Sequence, residues 1–246
     1  MSANLVHDIV YEYSYTQLYG LTFMYFFLLY FGMAPLFDKS CIWLKKKNII
    51  HRINARKATK RQKRMERIHS LKSIFVFGFS VVPVVYLIRS KTIILLPDTF
   101  LNIVLGVLCL TLWNEIHFFV VHRFMHIPFL MKTVHKVHHK SIVPTVYSVY
   151  SFHWFEALLL STVPLTILPL IPFSPIAVFL YPLTSILLNY SGHCNYRFGK
   201  GKGVEWKLFG TRHNTHHGAF KKNYGFASNI LDKLNDKISQ QRLSKK

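Results

Sequence analysis

The sequence predicts an all-α integral membrane protein, a helical bundle carrying a cytoplasm-facing, histidine-rich metal-site cap. Three observations lead there. Apolar runs recur along a chain that is 51% hydrophobic and 15% aromatic. Its charge is one-sided, 31 Lys+Arg against 10 Asp+Glu, and the basic residues gather between the apolar runs. Of its 14 histidines, 11 fall between His117 and His217. A soluble nucleic-acid binder would explain the +21 charge but not the apolar runs. A membrane protein with basic cytoplasmic loops explains both, so no nucleic-acid partner is expected.

Tyr15 to Phe37 is a stretch of 23 residues without a charge. As a helix it rises about 34 Å, enough for a hydrocarbon core ~30 Å thick. No basic segment precedes it and it is too long for the apolar part of a signal peptide, so a first span is expected. Residues Lys39 to Lys72 hold 13 Lys/Arg, including Lys45-Lys46-Lys47 and Lys60-Arg61-Gln62-Lys63-Arg64. Lying between two spans, they read as a cytoplasmic loop facing anionic headgroups. A second, short run covers Ser73 to Ile88 and contains Pro83; a third extends from Asp98 through Val121. The region Trp154 to Leu188 is broken by Pro164, Pro169, Pro172, Pro175 and Pro182. Since proline cannot continue a helix ladder, Pro172-Phe173-Ser174-Pro175 predicts a turn between two helices.

Alternate threading gives about five crossings, the last two being full spans or a re-entrant hairpin. It places residues 38–72, 122–153 and 193–246, all basic, on one side. The acidic N-terminus and the short link before Asp98 fall on the other, in line with the positive-inside rule. The expected organisation is N-terminal spans with a basic cytoplasmic loop over 1–92, a catalytic domain with a transmembrane hairpin over 93–240, and a basic tail over 241–246. Cys41, Cys109 and Cys194 form no CxxC pair and are expected to be packing residues in a reducing compartment. Gly199, Gly201 and Gly203 lack phosphate-loop spacing and are expected in a flexible loop, and the terminal Lys245-Lys246 is not placed as a retrieval signal.

The histidines form motifs. His122 and His126 stand in His-Arg-Phe-Met-His at the end of the third run; His135, His138 and His139 form His-Lys-Val-His-His. His193 follows the last run, and His213, His216 and His217 form His-Asn-Thr-His-His. On a helix, residues i, i+3 and i+4 lie within roughly 100° of arc, so each triplet presents its rings to one side. Neutral imidazole suits iron, zinc, copper and nickel. Nine such ligands exceed the needs of one four- to six-coordinate ion, so two ions are expected. His7, His51 and His69 lie in polar surroundings, and His117 points away from His122. His153, just before Trp154 and Glu156, reads equally as a ligand, a partner of a ligand or an interfacial residue.

At these residues the chain resembles the fatty acid hydroxylase / sterol desaturase superfamily of membrane oxygenases, over roughly Asn114 to Asp232. The resemblance rests on His122-Arg123-x-x-His126, His135-Lys136-x-His138-His139, His193, and His213-x-x-His216-His217 followed by Asn223-Tyr224-Gly225. It implies a helical membrane fold, a cytoplasm-facing di-iron site and O2-dependent oxidation of a lipid C–H bond. Carried over, the nine histidines become the metal ligands and Glu115 a partner that orients a ligand ring. Glu156, Asn189 and Asn223 join His153 as supporting residues or further ligands. The chain departs from the pattern at His153-Trp154-Phe155-Glu156, where many relatives have His-Pro-x-x-Glu. It departs again at Asn189, where fatty acid hydroxylases can carry another histidine. At Leu231-Asp232-Lys233-Leu234-Asn235, relatives commonly show Trp-Asp-x-x-Phe-Gly.

The implied cofactors are two iron ions, with zinc able to occupy the site in isolated protein, and O2 as co-substrate. The implied partners are a lipid from the bilayer, fatty acyl or sterol-like, and an external electron donor, since no flavin, nicotinamide or haem signature is present. Hydroxylation is the first expectation and desaturation the close alternative. A membrane zinc- or copper-binding protein is more remote, because the clusters lie beyond the span ends whereas a transport path needs polar groups at mid-membrane. A zinc hydrolase needs only three protein ligands. Endoplasmic reticulum and bacterial inner membrane fit the sequence equally.

Overall fold

The computed structural model describes residues 6–198, 209–219 and 222–243. Among the described residues helices dominate, and three are long and apolar enough to cross a membrane: Tyr15–Lys46, Lys60–Arg89 and Phe100–Met125. The first, α1, starts at a capping box in which Ser14 and Gln17 satisfy each other's backbone N–H groups. It widens into a single π-turn at Leu28–Gly32 and runs on to Lys46, beyond the expected end at Phe37. The second is two helices, α2 (Lys60–Gly78) and α3 (Val81–Arg89). Pro83 has no N–H to offer the Phe79 carbonyl one turn back, and the ladder breaks there. Much of the expected 39–72 loop is therefore helix, since α1 ends at Lys46 and α2 begins at Lys60.

Phe100–Met125 is α4, capped by Thr99, whose Oγ1 accepts from the Asn102 N–H at 3.2 Å. Leu101, Leu105, Leu108 and Leu112 repeat along one exposed face of α4, as a lipid-facing stripe does. An irregular helix over 128–139, here α5, includes a further π-turn at Met131–His135. The expected hairpin then forms as α6 (Trp154–Ser161), α7 (Val163–Ile167) and α8 (Pro175–His193). Trp154–Ile167 rises only about 21 Å, too short to cross a ~30 Å core by itself. α9 (Phe209–Ala219) and α10 (Ile230–Leu243) complete the described chain. The loop expected at Gly199, Gly201 and Gly203, and the terminal Lys245-Lys246, lie outside the described residues.

Two close contacts set the packing. A Cβ on Gly106 of α4 would meet the Ala177 side chain of α8 at 2.6 Å, and one on Gly78 of α2 would meet the Tyr19 ring of α1 at 2.7 Å. The largest core cluster joins Tyr30 and Leu29 of α1, Ile74 and Phe77 of α2, Tyr147 and Tyr150 of the 140–153 connection, and Ile186 and Tyr190 of α8. It draws on both sides of residue 92. The π-turn frees carbonyls in α1, and the Tyr190 hydroxyl donates to two of them, Leu29 at 2.8 Å and Tyr30 at 3.2 Å. The Tyr30 hydroxyl in turn donates to the Tyr147 carbonyl at 2.6 Å.

The basic segments meet at one end of the bundle. There β1 (Ile50–Arg52) pairs antiparallel with β2 (Tyr196–Phe198), and Gln62 donates to the Val143 carbonyl. At the other end Arg89 binds the Val10 and Tyr13 carbonyls, and Leu95 bridges Phe173 of the proline turn. The three cysteines are free, with Cys41 and Cys194 in one small cluster beside Tyr196.

Candidate metal centre

All nine motif histidines converge at the basic end. α4 ends with His122 and is capped by His126; α5 brings His135, His138 and His139; α8 ends in His193; α9 carries His213, His216 and His217. They sort into two groups able to hold an ion each. His122, His126, His135, His139 and His216 form one, and His138, His193, His213 and His217 the other. Within each group one nitrogen per ring lies within 4.8 Å of all the others. Each triplet is divided between them. Its i and i+4 rings enter one group and its i+3 ring the other, in opposite senses for the two triplets. His138 thus lies against His217, centroids 4.6 Å apart, while His139 reaches both His216 at 5.0 Å and His217 at 4.9 Å.

The donor chemistry fits metal ions. Nδ1–H of His122 donates to the Tyr224 carbonyl at 2.9 Å, that of His216 to Lys222 at 2.8 Å and that of His193 to Asn189 at 3.0 Å. A neutral imidazole that donates through Nδ1 keeps only a lone pair on Nε2. Nε2 of His216 lies 3.1 Å from Nε2 of His126, and Nε2 of His193 lies 2.8 Å from that of His213, itself 3.0 Å from Nε2 of His217. Two metal–nitrogen bonds of ~2.1 Å at right angles would separate their nitrogens by about 3.0 Å. The buried Nε2 atoms of His122 and His135 have no hydrogen-bond partner among the described residues. Burial, helped by the neighbouring rings, pushes the His126 imidazole down to about 3 and, by burial, His216 to about 4. His138, His213 and His217 are pushed well below the usual histidine range for the same reason. Neutral rings with free lone pairs are what iron, zinc or copper binds.

Supporting groups hold the rings. Glu156 of α6, buried, places Oε1 2.8 Å from Nδ1 of His135, a carboxylate–histidine pair of the kind that orients metal ligands. The 222–228 loop supplies two carbonyls to the five-histidine group, and two carboxylates fix that loop. Asp232 accepts from the Tyr224 and Gly225 N–H groups at 2.8 and 3.0 Å. Glu115 accepts from Phe226, Ala227 and Ser228 at 3.1, 2.7 and 3.3 Å. A Cβ on Gly225 would collide with the Ser228 carbonyl and crowd both carboxylates. The guanidinium of Arg123 lies 4.8 Å from the Tyr224 ring centroid.

The structure also places the remaining candidate residues. Glu115 touches no histidine ring; its carboxylate is saturated by loop N–H groups, so it acts on His122 only through the loop. His153 lies outside both groups and caps α6, its Nδ1 accepting from the Phe155 N–H at 3.3 Å. The Asn189 side chain donates to the Val149 carbonyl at 3.2 Å and replaces no ligand; its backbone carbonyl is what holds His193. Asn223 takes a left-handed conformation, φ 64°, and its amide reaches toward the Arg212 carbonyl at 3.4 Å. The contributions of Asp232 and of the Lys222 and Tyr224 carbonyls were missed. The one signal available was Asn-Tyr-Gly, whose first and last residues tolerate the tight backbone the loop needs.

Beneath the histidines lies a cavity of about 500 Å³, within the usual size range of small-molecule sites. It opens between α1, α3, α4 and α8 and is largely apolar. Its upper wall includes Phe118 and Phe152, whose rings stand 5.0 Å from His122 and 5.0 Å from His138.

Fold and site together define a helical protein of membrane type, with a histidine-rich centre able to hold metal above an apolar chamber. The chain belongs to the fatty acid hydroxylase family, whose model matches residues 107–236. It is 30% identical over 129 residues to the "Probable Delta(7)-sterol 5(6)-desaturase" of Neurospora crassa, covering 50% of this chain and 35% of that protein. It is 28% identical over 172 residues to the "Cholesterol 25-hydroxylase-like protein" of Danio rerio, covering 65% of each. It is 30% identical over 128 residues to the "Delta(7)-sterol 5(6)-desaturase" of Candida dubliniensis, covering 50% of this chain and 31% of that one. The matches thus span between about a third and just under two thirds of these relatives' lengths. No solved structure matches the chain.

Proposed function

We propose that the chain is a multi-pass, O2-dependent di-iron membrane oxidoreductase that hydroxylates a C–H bond of a lipid, with residues 93–240 as its catalytic part. One observation carries the reading: two adjoining all-imidazole groups, with Nδ1 of His122, His193 and His216 tied to backbone carbonyls, stand directly over an apolar cavity. His122, His126, His135, His139 and His216 would hold one iron and His138, His193, His213 and His217 the other. When bound, the iron pair supplies the redox chemistry for O2-dependent attack on an unactivated C–H bond, which no side chain can supply. The chain's own residues do the rest. Glu156 and the Tyr224, Lys222 and Asn189 carbonyls fix ring orientation, and Phe118 and Phe152 keep the chamber apolar below the site. Electrons come from a separate donor, and the positive-inside rule puts the basic end, with the histidines, on the cytoplasmic side.

Desaturation of the same bond class is the second reading, favoured by the printed names of the Neurospora and Candida relatives. Both outcomes start with removal of one hydrogen, and they part at the fate of the carbon. The test is anaerobic iron reconstitution followed by lipid profiling with O2 and a reductant. About two irons per chain are expected, with a product heavier by one oxygen or lighter by two hydrogens. Turnover with zinc and without O2 would overturn the proposal.

A further inference from the structure

The cavity is largely apolar, and among the polar side chains on its wall, which include Thr22, Ser80, Ser161 and Asn189, one buried amide on α4 stands out. Asn114 of α4 stands eight residues before His122, roughly 12 Å along the helix axis. It is 6% exposed, and Oδ1 accepts from the Tyr181 hydroxyl of α8 at 2.9 Å. The Asn114 amide N–H groups have no partner among the described residues, and the side chain lines the cavity. Tyr150, also buried and lining the cavity, has a hydroxyl with no protein partner among them either. Ser185, one turn beyond Tyr181, adds a hydroxyl to the same wall. Among the described residues, no Lys, Arg, Asp, Glu or His lines the chamber.

A buried amide with unused donors, facing space, is a recognition element awaiting an acceptor. The absence of any cation along the wall decides the charge of what binds. A carboxylate or phosphate would lose its hydration there with nothing to pair with, whereas an uncharged oxygen needs only hydrogen bonds. We propose that Asn114, with Tyr150 and Tyr181, anchors a single uncharged oxygen, a hydroxyl or keto group, of an otherwise hydrocarbon lipid. The carbon presented to the histidines then lies roughly 12 Å from that oxygen along the molecule. This distance requirement rests on the oxidase reading; the anchoring itself does not.

The test is retention of radiolabelled lipids by the detergent-purified full chain. Two sets of three probes are used: cholesterol, its 3-deoxy hydrocarbon and cholesterol sulfate; and octadecanol, octadecane and octadecanoate. In at least one set the neutral alcohol is expected to bind at least ten-fold tighter than both its hydrocarbon and its charged counterpart. Asn114→Leu, similar in volume, should reduce that preference below three-fold and leave hydrocarbon retention unchanged. Tyr150→Phe, which removes one hydroxyl, should reduce it at least three-fold and decides the matter if the leucine variant does not fold. Equal retention in both sets, or a preference that survives in the folded variants, overturns the proposal. Metal content is measured on the same samples. A preference that persists in protein unable to load iron sinks the oxidase reading alone, and a loaded protein without a preference sinks the anchor alone.

Discussion

The two histidine groups use the same motifs but are held by different means. The four-histidine group leans on local helix geometry. His193 donates to Asn189 four residues earlier in α8, and His213 and His217 stand one turn apart on α9. The five-histidine group leans on contacts far apart in sequence. Two of its rings hang from carbonyls of the 222–228 loop, which is itself clamped by Glu115 and Asp232, and a third pairs with Glu156. The first group needs only α5, α8 and α9 packed together; the second also needs the 222–228 loop and its clamps in place. The five-histidine group is therefore the one that supporting mutations should reach.

The largest effect that tests this contrast comes from the ligands themselves. His138→Ala should empty the four-histidine group and His216→Ala the other. Each should lower iron from about two to about one per chain and abolish oxidation, while the protein still inserts in membranes. Loss of both ions from either variant, measured by elemental mass spectrometry, would show that the groups are not independent. Next comes Asp232→Ala, which frees the Tyr224 and Gly225 N–H groups and lets the loop drift. Loss of a group that supports ligands usually weakens metal binding or activity about 10–100-fold. Here a metal titration should place that loss on one of the two ions only.

Glu156→Gln should act on the same ion through His135, at the lower end of that range, with Glu156→Asp recovering part of the affinity. Equal weakening of both ions would remove the distinction. The smallest effect is expected from Tyr190→Phe, which deletes the hydroxyl bridging α8 to the π-turn of α1. It should destabilise the fold by about 1 kcal/mol in a thermal melt and leave iron content unchanged.

Much of this was legible in the sequence because it follows from period and composition. Uncharged runs gave the long helices, proline gave the turn near Phe173, and histidine spacing picked out the nine rings that converge. What the sequence could not give depends on contacts distant in the chain or on local geometry that residue type does not reveal. Glu115 lies among ligand motifs, yet its partners stand more than a hundred residues away. His153, whose role the sequence leaves open, sits at the N-cap of α6 and accepts from an N–H two residues on. The division of each triplet between two groups was likewise invisible, because arc on a helix says which side a ring faces but not which neighbour's rings await it.

The widened turn at Leu28–Gly32 bears on how the first helix tolerates change. One extra residue in a turn rotates everything after it by about 100° relative to a regular helix. Phe37, whose ring lies 5.3 Å from Tyr190, and Cys41, packed near Tyr196, owe their facing to that offset. Inserting or deleting a single apolar residue upstream would leave the hydropathy profile intact and yet turn both away from their partners. Exchanges among leucine, phenylalanine and methionine on the outward face, such as Leu21 or Leu36, should pass almost unnoticed. For this helix, phase is under tighter constraint than identity.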